Sequence, residues 1–566
     1  MGIGKFANTA VVKASKVSAL IALSLALGSS AYADTKRYLV KFKSPATFQA
    51  VSEKVNSAKV LATRNQAPLA AMSLFGTGAA VTETLDQVKL MVIESENEQA
   101  IASLKNHPAI ALVEEEFMHP APERVSTFAV APAGSHVERK HNAIETPWGI
   151  NAVKAPEAWA TTKGENSRVV VLDTGVDVGH QALASRLEGV KNFTGGSADD
   201  VSDTVGHGTH VAGTVLADGQ NGGLVGVAPE AKLLMGKVCS DRGCSSIAIA
   251  QGINWGVQEK AQVISMSLGG SFITTAESQA LDAAEAAGVT VVAASGNDGT
   301  GRVSFPAAYR NVIAVGAIDS TLKKADFSQW GPELDVVAPG VEVYSSLPRG
   351  TGRESLAEVD LGDGKGANNV STGSMQGSPM GQINGLDAVL CGLGKAGQFP
   401  AEVAGKIALI SRGEITFKEK VINAISAGAA GVVIYNNAPG LLQGALTEDG
   451  SEVAVPVVMI EQTVGEAAKA AINSGKTVLI SVAVQQSDYG SLQGTSMATP
   501  HVAGVVALIR SANQNLTPAQ VRDILAQTAT PLSPNDQNQF GAGLVNAEKA
   551  VASALSNIPM SLSLAN

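Results

Sequence analysis

The chain has 566 residues, 45% apolar and 16% charged, which excludes a disordered polypeptide and leaves enough apolar side chain for several buried cores. A net charge of −10 with no run of Lys or Arg excludes a nucleic-acid footprint, and three cysteines are too few to staple a small disulfide scaffold. Aromatic residues make up 4% while glycine reaches 59 positions, so the cores are built of Ala, Val, Ile and Leu joined by tight turns.

Lys5, Lys13 and Lys16 precede an apolar run over 17–27, followed by small residues ending in Ala31-Tyr32-Ala33. This order is that of a secretory signal, and the run is too short to span about 30 Å of hydrocarbon. Residues 1–33 are therefore expected to be a signal peptide. Cleavage after Ala33 removes three lysines and no acid, takes the net charge to −13 and leaves an exported chain without a membrane segment.

Residues 34–120 carry extended patterns at 38–42 and 110–113, with a strand and a helix in the stretches 85–93 and 98–104, enough for a small α+β unit. Residues 121–142 have linker composition, with Ala121-Pro122 and Ala131-Pro132-Ala133-Gly134-Ser135, and form a plausible cleavage zone. From Trp148 onward, near-continuous Val/Ile/Leu/Ala runs at 169–172, 231–237, 263–266, 289–294 and 312–315 predict buried parallel strands. Stretches 281–287 and 501–509 predict covering helices. After a Gly-, Ser- and Asn-rich stretch over 348–382, a second pattern follows: strands at 406–410, 432–435, 455–460 and 478–482 and helices at 417–427 and 465–472. It reads as an inserted αβ unit over 384–486, because the first pattern resumes at Tyr489.

Four segments can carry chemistry. Asp173-Thr174-Gly175 follows a predicted strand, where open α/β sheets place their ligands. An aspartic protease would need a second Asp-Thr-Gly loop, and none is present. Gly206-His207-Gly208-Thr209-His210 opens a helix; a metal reading of His207 and His210 lacks further ligands, whereas a general base needs one imidazole and an orienting carboxylate. Gly494-Thr495-Ser496-Met497-Ala498 leads into an apolar helix, where Ser496 is either an N-cap or a nucleophile whose own N–H faces an oxyanion. Ala294-Ser295-Gly296-Asn297-Asp298 ends a strand, and Asn297 serves either a turn or an oxyanion.

The order Asp, His, Ser is that of subtilisin. The blocks Asp173-Thr174-Gly175-Val176-Asp177, His207-Gly208-Thr209-His210-Val211-Ala212-Gly213-Thr214 and Gly494-Thr495-Ser496-Met497-Ala498-Thr499-Pro500 resemble the three active-site blocks of the subtilisin-like serine proteases. Ser267-Leu268-Gly269-Gly270 and Ala294-Ser295-Gly296-Asn297 resemble that family's substrate-binding strand and oxyanion segment. The resemblance implies an α/β fold, a parallel sheet with helices on both faces, over 143–348 and 489–554. It implies a secreted endopeptidase in which Ser496 is the nucleophile, His207 the general base and Asp173 its orienting partner, with Asn297 and the Ser496 N–H holding the oxyanion. His210 then reads as a structural neighbour. Ser267, Leu268, Gly269 and Gly270 would pair with substrate as an added strand, and Ala294, Ser295 and Gly296 would line the primary pocket, their small size leaving room for a large apolar side chain. Asp298 stands where pocket polarity varies in the family and would allow some basic residues.

Residues 34–120 resemble the family's inhibitory propeptide. The insert resembles a protease-associated (PA) domain through Gly405-Lys406-Ile407-Ala408-Leu409-Ile410 and Ala430-Gly431-Val432-Val433-Ile434-Tyr435. The expected partners are protein and peptide substrates and the chain's own propeptide, with the protein a monomer outside the cell. Two other functions fit the same fold: a non-catalytic binding protein, and a narrow processing protease whose insert selects substrates.

Cys239 and Cys244, with four residues between them in an exported chain, predict a disulfide; Cys391 is left as a buried thiol. Gly392-Leu393-Gly394-Lys395-Ala396-Gly397 fits a dinucleotide fingerprint in spacing but lacks a strand-to-helix context, and reads as a loop. Catalysis needs no cofactor. The family often holds structural calcium, and the loop from Asp218 to Leu224 has the length of its calcium loop. Ala182 and Ile144, however, stand where ligands are expected, so the strongest family site is degraded. Residues 555–566 have no assigned role.

Overall fold

The computed structural model describes residues 36–64, 72–86, 88–122, 130–131, 146–220, 223–438, 441, 444–447 and 451–556. The expected signal peptide, most of the cleavage zone, Ile144 and the last ten residues lie outside them.

The N-terminal unit is a five-stranded antiparallel sheet in the order Met72–Ser73, Ala80–Leu85, Leu90–Ser95, Lys36–Phe42, Ile110–Glu115. Helices Pro45–Arg64 and Glu98–Lys105 accompany it. Asn97 caps the second helix by accepting from the N–H groups of Gln99 and Ala100. In the central strands Lys36–Phe42 and Leu90–Ser95 the apolar stretches 38–40 and 90–93 are unbroken because both faces are buried. Val40, Phe42, Met91 and Ile93 face Phe48 and Leu104 in the unit's own core, whereas the alternate residues Leu39, Leu90 and Val92 join the core of the large α/β unit. Polar contacts follow the same seam: Arg37 donates to Gln251, and Glu114 accepts from the N–H groups of Thr275 and Ala276.

The large unit is built on a seven-stranded sheet in the order Val336–Pro339, Val312–Ile318, Thr290–Ala294, Val263–Met266, Arg168–Asp173, Lys232–Lys237, Leu187–Asn192, every pair parallel. The sequence predicts five of these strands; Leu187–Asn192, at an edge and only partly buried, and the short Val336–Pro339 carry weaker patterns. Helices His207–Leu216, Ser246–Gln258, Thr275–Ala286 and Thr495–Ala512 cover the sheet. His207–Leu216, Ser246–Gln258 and Thr495–Ala512 carry Ala and Gly and are buried along most of their length, while the Ala-rich Thr275–Ala286 buries one face, which is how a core with few aromatic residues packs closely.

The insert leaves and rejoins the large unit at one place, where Val343–Ser346 pairs antiparallel with Tyr489–Leu492. Its sheet runs Asn368–Val370, Gly352–Asp360, Leu479–Ser487, Gly381–Leu390, Ile407–Ser411, Gly431–Tyr435, Val457–Ile460, Thr372–Gln376, Gly444–Ala445, with Val130–Ala131 added beside Thr372–Gln376. The Gly- and Ser-rich stretch therefore contributes strands that composition hides. Gly352–Asp360 pairs with Leu479–Ser487 along its whole length, and the register supplies what side-chain propensity does not. Helices Phe417–Ser426 and Gln462–Asn473 lie over two separate apolar layers, one holding Val421 and Ala424, the other Ala468. The Gly392–Gly397 segment is a loop tied down by Lys420, whose buried Nζ donates to the carbonyls of Leu393, Ser411 and Gly413.

Candidate active site

Three chain segments converge at the carboxyl edge of the seven-stranded sheet. Asp173 is the last residue of its strand, Ala294 the last of another, and Ser267 follows the strand Val263–Met266. The helices that begin at His207 and Thr495 start at this edge, so backbone N–H groups and the positive ends of two helices face one cleft.

Asp173 and His207 are directly bonded. His207 Nδ1 lies 2.8 Å from Asp173 Oδ1, which also accepts from the Thr174 N–H at 2.7 Å. Asp173 is fully buried and His207 is only 5% exposed, so the pair is held out of water. The close approach depends on Gly208, where a Cβ would stand 2.2 Å from the carbonyl oxygen of Gly175. Asp203, which the sequence reading does not single out, fixes both partners. Its carboxylate accepts from the Thr174 and Thr209 hydroxyls and from the N–H groups of Val205, Gly206 and Thr209. Its only sequence signal is an acid four residues before the His block. Asp177 forms an ion pair with Arg349, 2.8 Å from Nε and 3.0 Å from Nη2, and is structural.

Ser496 lies one residue inside its helix. The N-cap is Gly494, so the capping explanation for Ser496 does not hold. The Ser496 hydroxyl donates to the Ser267 carbonyl at 3.2 Å, and the Ser267 hydroxyl returns a bond to the Ser496 carbonyl at 2.7 Å. Asn297 is oriented by Thr495, whose N–H and hydroxyl both donate to its Oδ1, at 2.9 and 2.8 Å. That leaves the Asn297 amide nitrogen facing the cleft. A Cβ on Gly494 would stand 3.4 Å from Asn297 Nδ2 and 3.6 Å from the Ser496 nitrogen, so glycine at φ +146° keeps open the space on which the two donors converge.

The cleft, about 510 Å³, is lined by His207, Ser496, Asn297, Ser267, Leu268, Gly269, Gly270, Ala294 and Gly296, together with Asp298 and Gln329. Ser295 departs from its expected role. It is fully buried, between neighbours that face the cleft, and its hydroxyl turns to the Gln329 carbonyl. The insert contributes Gln376, Gly444 and Ala445 to the wall, and the chain leaving the N-terminal unit contributes Pro120, Ala121 and Pro122. Just before these, Met118–His119 pairs antiparallel with Gly243–Ser245. That strand belongs to a hairpin closed by the Cys239–Cys244 disulfide. Cys391 is a buried free thiol, and burial pushes its pKa up to about 12.

His210 and His501 serve the frame. His210 Nε2 contacts the carbonyls of Val343 and Gly490 at 2.9 and 3.2 Å, the root of the insert, and His501 Nδ1 lies 2.9 Å from the Met497 carbonyl. Both are fully buried. Burial, aided by the nearby charge of His207, pushes His210 down to about 3, and burial pushes His501 down to about 4. Below pH 6.5 the unfolded chain takes up protons that these native imidazoles refuse. Stability is therefore expected to fall from pH 6 toward pH 4 by up to about 1.4 kcal/mol per pH unit for each of them, the His501 share flattening near its own value of about 4. Urea unfolding of a Ser496→Ala protein across that range measures the slope, and His501→Gln should remove about half of the two histidines' share.

Among the described residues, those at the Asp218 loop do not form a calcium-binding set. Asp218 Oδ1 accepts from the Gln220 N–H and its Oδ2 from the Ser185 hydroxyl, while Ala182 packs in an apolar cluster with Ala217, Leu224, Tyr344 and Tyr489. Among the described residues no group of three or more His, Cys, Asp or Glu is placed to hold a metal. Nor, among them, is any helix long and apolar enough to cross a membrane.

This fold and its relatives define a serine peptidase of the α/β class. The chain belongs to the subtilase family: that family's profile matches residues 164–381, and a PA domain profile matches residues 380–468. It is 47% identical over 215 residues to the "Major intracellular serine protease" of Bacillus subtilis (strain 168), covering 36% of this chain and 67% of that one. It is 30% identical over 486 residues to an "Alkaline protease" of Alkalihalobacillus alcalophilus, covering 84% and 90%. Among solved structures it is similar to the psychrophilic subtilisin-like protease Apa1 from the Antarctic psychrotroph Pseudoalteromonas sp. AS-11, with a TM-score of 0.57 and 30% identity over 72% of this chain and 99% of that one.

Proposed function

We propose that this subtilase is a secreted serine endopeptidase, made as a self-processing zymogen, in which Asp173, His207 and Ser496 form the catalytic triad. The observation that carries the reading is the buried 2.8 Å Asp173–His207 bond in one cleft with Ser496. In the mechanism the Ser496 hydroxyl turns from the Ser267 carbonyl to His207 Nε2, gives up its proton and attacks the substrate carbonyl. Asp173 holds the proton on Nδ1, so that Nε2 can accept, and stabilises the imidazolium that forms. The developing oxyanion sits in the space kept open by Gly494, facing the Asn297 amide and the Ser496 N–H. His207 then protonates the leaving amine, and water repeats the sequence to release the acid. Ser267, Leu268 and Gly269 offer main-chain partners to an extended substrate, whereas Gly270, expected in the same role, has its N–H and carbonyl both bonded to Phe305 and serves as wall; Ala294 and Gly296 leave room for the side chain at the cut.

The segments follow this reading: signal peptide at 1–33, inhibitory propeptide at 34–120, a cleavage zone at 121–142, the catalytic domain over 143–348 and 489–554, the PA insert over 384–486 with the strand Gly352–Asp360 joined to it, and a tail from 555. A propeptide that leaves along the cleft explains why Met118–His119 is added to a catalytic-domain hairpin and why Pro120 to Pro122 stand against the Ser496 cleft. The insert's Gln376, Gly444 and Ala445 in the cleft wall favour a role in admitting flexible chains and screening folded proteins.

A fluorophosphonate probe tests the reading. Processed, folded protein should be labelled and its Ser496→Ala counterpart should not. Absence of label on the processed wild-type protein would overturn the assignment in favour of a binding protein on a protease fold.

A further inference from the structure

The strand Met118–His119 carries information about substrate as well as about the propeptide. His119 lies opposite Cys244 in the antiparallel register, and Phe117 exchanges bonds with Ser246: its N–H donates to the hydroxyl at 3.0 Å and its carbonyl accepts from the N–H at 2.9 Å. From His119 the chain passes directly to Pro120, Ala121 and Pro122 in the cleft. The His119 side chain descends beside Gly270, where a Cβ would stand 2.7 Å from its Nδ1. At the bottom its Nε2–H donates to Glu277 Oε1 at 2.7 Å, with the two side chains 1% and 2% exposed.

Glu277 is not a surface acid that happens to be covered. Its other oxygen, Oε2, accepts from the N–H and hydroxyl of Thr274, at 2.9 and 2.7 Å, in the capping box that opens the helix Thr275–Ala286. The carboxylate is thus locked in one orientation by its own helix, with Oε1 turned to the imidazole. A buried carboxylate oxygen that loses its donor costs free energy until another donor replaces it. Departure of the N-terminal unit removes His119 and leaves this oxygen at the floor of an open subsite.

We propose that Glu277 is a specificity-determining residue: it makes the subsite vacated by His119 select a basic substrate side chain, Arg, Lys or His, and reject Asp and Glu. The inference rests on the peptidase reading of the cleft. A substrate that adds to Gly243–Ser245 as Met118–His119 does brings its own side chain over Glu277, three residues before the one in the place of Pro122. There a charge-assisted hydrogen bond forms only with a donor, and a second carboxylate meets like charge in a dry site.

The test uses the mature enzyme and quenched fluorescent peptides identical except for Arg, Leu or Glu at that position, with the cut mapped by mass spectrometry. The Arg peptide is expected to exceed the Leu peptide in kcat/KM by about tenfold or more, and the Glu peptide to be the poorest. In Glu277→Gln, which keeps a side chain able to close the capping box, the Arg-to-Leu ratio should fall to within about twofold. Equal or better cleavage of the Leu peptide by the wild type would overturn the proposal and leave the peptidase reading standing. So would an Arg-to-Leu ratio that Glu277→Gln does not move. Cleavage of none of the peptides by labelled, folded enzyme would overturn both.

Discussion

Ser496→Ala is expected to lower peptide turnover on the order of 10⁶-fold, the loss seen when the serine or histidine is removed from subtilisin. The same change should leave the precursor uncut, with the segment before Ala121 still attached. The fold should survive. Ser496 stands inside the first turn of Thr495–Ala512 and does not cap it, the N-cap being Gly494. Its hydroxyl makes one 3.2 Å bond, to a carbonyl that also faces the cleft. Truncation to alanine therefore costs little more than one modest hydrogen bond, about 1 kcal/mol, against a near-total loss of activity. Gel analysis of the purified product, peptide hydrolysis and thermal unfolding check the three parts together. A purified Ser496→Ala protein that is still processed without added protease, or that keeps more than about a thousandth of wild-type turnover, would remove Ser496 from the nucleophile's role.

Much of this site was legible because local chemistry wrote it. Asp173, His207 and Ser496 each sit at the junction of an apolar element and a Gly-rich turn, and junctions of that kind are visible as sequence patterns. The five central strands were legible for the same reason: full burial on both faces demands uninterrupted apolar runs. Register and long-range contact were not legible. Gly352–Asp360 has the composition of a loop and becomes a strand because Leu479–Ser487 lies beside it. Asp203 fixes Thr174 and Thr209 from a position that no spacing rule marks. Ser295 was expected in the pocket wall, yet its side chain is buried toward Gln329 while the residues on either side face the cleft. Glu277 reads in sequence as an ordinary helix-opening acid; only the structure shows one of its oxygens bonded to His119, on the segment that leads into the cleft.

Asp173→Asn is expected to cost about 10⁴ in turnover while leaving the architecture in place. The carboxylate oxygen Oδ1 accepts two hydrogen bonds, from His207 Nδ1–H and from the Thr174 N–H. An asparagine can put its carbonyl oxygen at this place only by leaving its NH₂ group where Oδ2 lies, buried without a partner; turned the other way, the NH₂ group takes the place of Oδ1. In that second orientation the NH₂ group faces His207 Nδ1, which must then carry no proton. The proton moves to Nε2, the atom that has to receive the Ser496 hydroxyl proton, and general-base catalysis stops although every atom is near its place. The neutral amide also fails to stabilise the imidazolium in a pair so nearly free of water. Stability should change far less than activity, because Asp203 and the Thr174–Gly208 contact hold the two segments together independently of the Asp173 charge. The measurement is kcat/KM on a peptide together with the rate of fluorophosphonate labelling. Both should fall in proportion, since both need a deprotonated Nε2. A loss of less than about a hundredfold in either would mean that the tautomer of His207 is set by some other group than Asp173.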